Sequence, residues 1–280
     1  MTHACVPVSV LILTLDEEVN IVDCLASVAW SDDVVVLDSG SADRTRELAI
    51  ARGARIVVRP FDDYARQRNF GLGGIEYRHP WILMLDADER VPEDLAAEVR
   101  HVVAGAGEEL ALFYMRRRDY LFGRWIRRSS GYPTWFGRLV RRGRVRIERP
   151  FNEQSYAQGR SAQLAGHLDH YPFNKGFTEW LAKHNRYSSM EAQLLEQQRG
   201  APGRESIFDR DPVVRRRAIK DRVYRLPARP LLTFLALYLA RGGFLEGRAG
   251  LTFSLLRAWY EFMIDCKRRE LRRRACDLPV

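Results

Sequence analysis

Over residues 8–105 the chain alternates short apolar runs with stretches of helical spacing, and this rhythm limits the possible folds more than any other feature. Residues 8–15 (V-S-V-L-I-L-T-L) suit a buried strand, and Ile21, Val22, Leu25 and Val28 then recur at helical spacing over 17–28. Residues 33–38 read as a second strand, 42–51 as a helix stopped by Gly53, and 55–58 as a third strand. A helix over 64–72 and a fourth strand over 81–85 complete the series. Strands this largely apolar need cover on both faces. The expected class is therefore α/β, a mostly parallel Rossmann-like sheet. Ligands of such sheets gather beyond the carboxyl ends of the strands. The clusters at 14–17, 38–41 and 86–89 all fall at those ends.

Further along the pattern changes. Residues 110–170 carry short segments rich in aromatics and arginine, expected as an antiparallel extension of the sheet. Phe177, Trp180, Leu181, His184, Tyr187 and Ser188 mark one face of a long helix, and 204–225 reads as a basic helix. Two apolar runs, 231–240 and 251–264, close the chain. Neither reaches the roughly twenty residues needed to span a bilayer. We expect a catalytic domain over 1–200, with a nucleotide half to about residue 105 and an acceptor half beyond, and a helical, membrane-associating region over 201–280. No signal peptide is expected, because residues 1–7 lack a basic start. The four cysteines have no C-x-x-C spacing and suit reduced thiols in the cytoplasm.

Residues 81–91, W-I-L-M-L-D-A-D-E-R-V, run five apolar residues into three acids. Carboxylates that close repel one another and resist leaving water, and a hard cation such as Mg²⁺ or Mn²⁺ would resolve the conflict. The alternative is a solvated turn before a helix starting at Pro92. Asp38 stands at another strand end before the small residues of S-G-S-A-D, where a nucleoside could approach the backbone; a plain strand–helix turn is the alternative. Neither G-x-G-x-x-G nor G-x-x-x-x-G-K-[ST] is present.

Four segments in this order, S-V-L-I-L-T-L-D-E-E-V-N-I, V-V-V-L-D-S-G-S-A-D-R-T, A-R-Q-R-N-F-G and L-M-L-D-A-D-E-R-V, resemble family 2 glycosyltransferases with the GT-A fold. D-Y-L-F-G-R-W-I-R, G-R-L-V-R-R-G, N-R-Y-S and R-G-G-F-L-E-G-R-A-G are similar to the branch of lipopolysaccharide inner-core glucosyltransferases that act on heptose. The resemblance implies that Thr14, Asp16 and Glu17 line a nucleotide pocket, that Asp38 binds the base or ribose, and that Arg68 and Asn69 close over it. It implies Asp86 at the ribose or a metal-bound water and Asp88 on a divalent metal that bridges the diphosphate of a UDP-sugar. His170 matches a family histidine near the metal, although a structural role is the alternative. Glu153 is the expected catalytic base of an inverting transfer, with Asn152 standing where a histidine is expected. Two alternatives stay open: a sugar nucleotidyltransferase, and a membrane-docked assembly protein with weakened catalysis.

Net charge is +9, and all but four of the 45 basic residues are arginine. Arginine forks suit phosphates, while a genome that prefers arginine codons is the bland account. Arg124, Trp125 and Arg128 are candidate acceptor-binding residues, since aromatic faces stack on sugars and arginines pair with anions. No nucleic-acid motif is present. In the last segment Arg225, Arg229, Arg241, Arg248, Arg257, Arg268 and Arg269 flank apolar runs as in interfacial helices. The expected setting is peripheral, on an anionic membrane surface at the cytoplasmic face of a bacterial inner membrane, near a lipid-linked glycan acceptor. Ordinary packing of that segment is the alternative.

Overall fold

The computed structural model describes residues 7–148, 154–197 and 228–280, so the basic segment at 204–225 and the Asn152–Glu153 pair lie outside it. Two compact units emerge, residues 1–127 with 132–176, and residues 128–131 with 177–280.

The first unit is built on a mixed sheet. Strands β1 (Val8–Thr14), β2 (Val34–Asp38), β3 (Arg55–Val58) and β4 (Trp81–Asp86) alternate with helices α1 (Ile21–Ser27), α2 (Thr45–Ala51) and α3 (Tyr64–Gly73). Next come β5 (Glu89–Arg90), α4 (Glu93–Gly105), β6 (Leu110–Leu121) and β7 (Arg124–Trp125). Strands β8 (Trp135–Arg141), β9 (Val145–Glu148), β10 (Gln154–Ala157) and β11 (Arg160–His170) complete the unit. The sheet order is β3-β2-β1-β4-β8-β6-β11-β5, with β7 paired to β6 and a separate β9–β10 hairpin.

Alternation along the strands divides the core. Val10, Ile12, Leu83 and Leu85 pack with Ile21, Leu25, Leu95 and Val99, whereas Leu11, Leu37, Ile82 and Met84 pack with Ala65 and Leu72. Each central strand therefore buries both faces, which is why its sequence is apolar at most positions. Gly71 of α3 lies so close to β1 that a Cβ there would sit 2.5 Å from a Leu11 methyl carbon. That approach lays α3 tightly on the sheet, with Arg68 on the same helix.

The expected α/β class and parallel order hold for β1 to β4. The extension differs in one respect. β8 pairs antiparallel with β4 and β6, but β11 runs parallel to β6, because a long excursion through β8 to β10 separates them.

In the second unit, α5 (Gly176–Gln197) precedes α6 (Arg229–Leu235), a π-helical turn (Ala236–Ala240), a 3₁₀ turn (Gly243–Glu246) and α7 (Gly247–Arg274). Two arginines expected at a membrane face inward. Arg229 is 1% exposed and lies 3.0 Å from both Glu261 and Asp265, and Arg268 lies 2.8 Å from Glu196. A buried guanidinium must be paired, and acids on α7 and α5 supply the partners.

Candidate active site

The loops after β1 and β2 are laced together by short polar side chains. The Asp38 carboxylate is fully buried; Oδ1 accepts from the backbone N–H groups of Gly40 (3.0 Å) and Ser41 (2.8 Å). Its Oδ2 accepts from the hydroxyls of Thr14 (2.8 Å) and Ser41 (2.5 Å). Asp16 adopts a left-handed conformation, φ 54°, which an aspartate tolerates better than most residues. Its Oδ1 accepts from the Ala42 N–H at 2.7 Å, and its own N–H donates to Ser41 Oγ at 2.9 Å. Thr14, Asp16 and Asp38 thus stand together as the frame of the strand-end region. Glu17 is partly buried, accepts from Asn20 Nδ2 at 2.8 Å and pairs with Lys175 at 3.1 Å. Burial and the charge of Asp88 raise its pKa above the ordinary value.

The three acids of β4 and β5 have separate fates. Asp86 receives Arg68 Nη2 at 2.7 Å and Arg138 Nη2 at 2.6 Å. Burial alone would raise this carboxyl, but Arg138 and Arg68 hold it well below the usual carboxylate range. Glu89 is fully buried, because the same Arg138 Nη2 reaches its Oε1 at 2.7 Å and Arg117 stands 3.7 Å away. It also accepts from the Asp86 N–H at 3.1 Å. Two of the crowded acids are therefore neutralised by the chain's own arginines.

Asp88 points elsewhere. Its Oδ2 lies 3.3 Å from His170 Nε2, and His170 Nδ1 lies 2.6 Å from Asp119 Oδ1. Burial works against a charged imidazole here, as does Arg117, yet Asp88 and Asp119 together raise the His170 pKa. A carboxylate behind the far ring nitrogen is how metal-ligating histidines are held in orientation. Among the described residues no cluster of three or more His, Cys, Asp or Glu side chains is arranged to hold an ion. One carboxylate oxygen and one imidazole nitrogen fit a Mg²⁺ or Mn²⁺ ion that completes its shell with substrate oxygens and water.

This region matches the model of glycosyl transferase family 2 over residues 9–163, more than half of the chain. The chain belongs to that family. It is a glycosyltransferase, and family membership decides against a sugar nucleotidyltransferase, whose Gly-rich basic loop T-L-D-E-E-V-N does not supply. The chain is 28% identical to the lipopolysaccharide core biosynthesis glycosyltransferase LpsC of Rhizobium meliloti, covering 90% of each. It is 26% identical to an uncharacterized glycosyltransferase of Rickettsia typhi over 94% of this chain and 87% of that one. Among solved structures, glucosyl-3-phosphoglycerate synthase of Mycobacterium tuberculosis with Mn²⁺, UDP and glucosyl-3-phosphoglycerate is 25% identical, with a TM-score of 0.33. That match covers 40% of this chain and 44% of the synthase.

The remaining candidates of the glycosyltransferase are held by partners of their own. Asn69 holds the β9 backbone, donating to Ile147 O at 2.7 Å and accepting from Ile147 N–H at 2.8 Å. Trp125 sits on β7 in an edge-to-face contact with Tyr132 at 5.2 Å, with the guanidinium carbons of Arg118 and Arg127 each 5.7 Å from its ring centre. Arg124 is exposed opposite Leu121. Arg128 belongs to the second unit, where its N–H donates to Glu246 at 2.7 Å and its carbonyl accepts from Arg241 at 3.1 Å. Glu153 falls in the undescribed stretch between β9 and β10. Sequence reasoning gave no role to Arg138 or Lys175. The motif G-R-L-V-R-R contains Arg138, and Lys175 is one of only four lysines, but neither signal names a partner.

Proposed function

We propose that the chain transfers a hexose from a UDP-sugar to a lipid-linked glycan of the bacterial cell surface, such as the lipopolysaccharide core. It would act peripherally at the cytoplasmic face of the inner membrane. The observation that carries this reading is the Asp88–His170–Asp119 line at the end of a parallel strand. Similarity to LpsC along nearly the whole chain supports the acceptor class.

In this reading the nucleoside lies along the loops at 14–17 and 38–41. Asp88 and His170 would hold a Mg²⁺ or Mn²⁺ ion, which supplies Lewis-acid neutralisation of the departing diphosphate. Asp119 keeps His170 oriented. Arg68 and Arg138 cancel the charges of Asp86 and Glu89, so that Asp88 meets the donor without two further bare carboxylates beside it. Glu153 takes the proton of the acceptor hydroxyl as its oxygen attacks the anomeric carbon. The bond from that carbon to the diphosphate oxygen breaks on the opposite face, so the configuration inverts and UDP leaves. Trp125 and Arg124 would present a stacking face and a cation to an anionic saccharide.

Asp88→Asn tests the reading. It preserves shape and removes the charge, so thermal unfolding should stay near that of the wild type. Calorimetric binding of UDP should lose its gain from added Mn²⁺. A gain equal to the wild type's would remove Asp88 from the metal site. Failure of the wild type to release UDP from any UDP-hexose, with core oligosaccharide present, would refute the donor assignment.

A further inference from the structure

Between residues 228 and 255 every exposed residue is apolar, a glycine or an arginine. This follows from how the segment is folded. A Cβ on Gly243 would lie 2.7 Å from Leu237 O, and one on Gly250 would lie 2.1 Å from Gly243 O. The glycines thus let α6, the two short turns and the start of α7 pack into a tight hairpin. Its acid is turned inward: Glu246 accepts from the N–H of Arg128 at 2.7 Å, the N–H of Ser129 at 3.0 Å and the hydroxyl of Ser129 at 2.6 Å. Arg229 is consumed by Glu261 and Asp265. What remains outside is Leu231, Leu232, Leu235, Leu239, Phe244 and Leu245, with Leu231, Leu239 and Leu245 each more than half exposed (57%, 54% and 56%). Leu251 and Leu255 extend the face along α7. Arg241 and Arg248 are the exposed charges of this hairpin, and Arg128, in the 128–131 segment of the same unit, is exposed as well.

Eight exposed leucine and phenylalanine side chains gathered on one packed helical hairpin point to an interaction surface. No described helix is long and apolar enough to cross a membrane. Two copies meeting through this face would also bring arginine toward arginine, with no exposed acid in the segment to offset them. We propose that the face is an interfacial membrane surface. The leucines and Phe244 enter the acyl boundary of an anionic bilayer, while Arg128, Arg241 and Arg248 pair with lipid phosphates. The proposal deepens the reading of a lipid-linked acceptor and rests on it: the enzyme is held where its substrate's anchor lies.

The test is vesicle flotation of the full chain with neutral phosphatidylcholine or with phosphatidylglycerol mixed in, at low and high salt. Wild type should float, more strongly on anionic vesicles at low salt. Leu239→Glu with Leu245→Glu changes only exposed positions and should lower partitioning about tenfold or more on every vesicle while thermal unfolding is unchanged. Arg241→Gln with Arg248→Gln should abolish only the preference for anionic lipid. The proposal is overturned if wild type never floats, or if the glutamate variant floats equally well. It is also overturned if wild type is a dimer without lipid that the glutamate variant breaks while vesicle binding is kept. Transfer to a soluble, delipidated core oligosaccharide reports separately on the reaction: its absence in floating wild type would refute the transfer reading and leave the surface standing.

Discussion

Arg138→Met is the perturbation that most directly tests the account of the acidic strand end. Methionine keeps much of the stem and loses the guanidinium. Arg138 is 4% exposed and bridges Asp86 at 2.6 Å and Glu89 at 2.7 Å, so its loss strands charge in the interior. Removing one partner of a buried ion pair costs about 3–5 kcal/mol. Asp86 keeps Arg68 at 2.7 Å, and Arg117 remains 3.7 Å from Glu89, which places the expected loss at the lower end. We take about 3 kcal/mol. In a unit of this size each kcal/mol lowers Tm by about 2–4 °C, so the variant should melt about 6–12 °C below wild type. Added Glu89→Gln removes the stranded charge and should restore about half of that loss, whereas in the wild-type background it breaks a pair and destabilises. The assay is calorimetric melting of the four corners of the cycle. A Tm within about 1 °C of wild type for Arg138→Met, or additive losses in the double variant, would refute the claim that Arg138 holds the two acids.

Two other outcomes follow from the same physical reading. Glu153→Gln is nearly isosteric and cannot accept a proton, so UDP binding should persist while turnover falls by about 10²–10⁴-fold; a loss of only a few-fold moves the base to another carboxylate, such as Asp169. His184, stacked on Trp180 with ring centres 3.6 Å apart, is held neutral, its pKa pushed down by burial to about 4 against the donated hydrogen bond to Trp180 O. Because the folded value lies below the unfolded value of about 6.5, this contribution is fully present above that pH and is lost as pH falls toward about 4, amounting to up to about 3 kcal/mol. Acid titration of the melting temperature should show this slope and His184→Phe should flatten it; an identical slope in the variant would exclude His184 as its source.

The parallel half of the sheet was legible because its strands are largely apolar runs and apolar residues recur at helical spacing between them. The meeting of the ends of β1, β2 and β4 followed from that alone. The fate of Glu89 did not. A glutamate beside two aspartates reads as solvated or metal-bound, and its complete burial depends on Arg138, nearly fifty residues later on a strand whose pairing no local pattern reveals. The same applies to Asp119, which meets His170 only because β6 and β11 run side by side in parallel. The apolar runs near the C-terminus were legible as hydrophobic, but which arginines would face outward was not. Helical position turns Arg229 onto Glu261 and Asp265 and leaves Arg241 and Arg248 exposed.

These placements bear on why the chain favours arginine. At exposed sites such as Arg44 and Arg66, each in an ion pair with an acid three residues away, a lysine would serve as well, and codon preference accounts for them. At the core of the first unit it does not. Arg138 and Arg117 both lie against Phe136, with guanidinium carbons 5.6 Å and 4.2 Å from the ring centre, while they serve buried acids. A planar, weakly hydrated cation can rest against an aromatic ring and satisfy two carboxylates at once. An ammonium is a compact point charge that keeps its water more strongly. Arg229, set between Glu261 and Asp265, is the same case in the second unit. Buried acids need cations that tolerate desolvation. Arginine meets that demand, so composition and structure coincide at these positions even where the rest of the surface records only a bias.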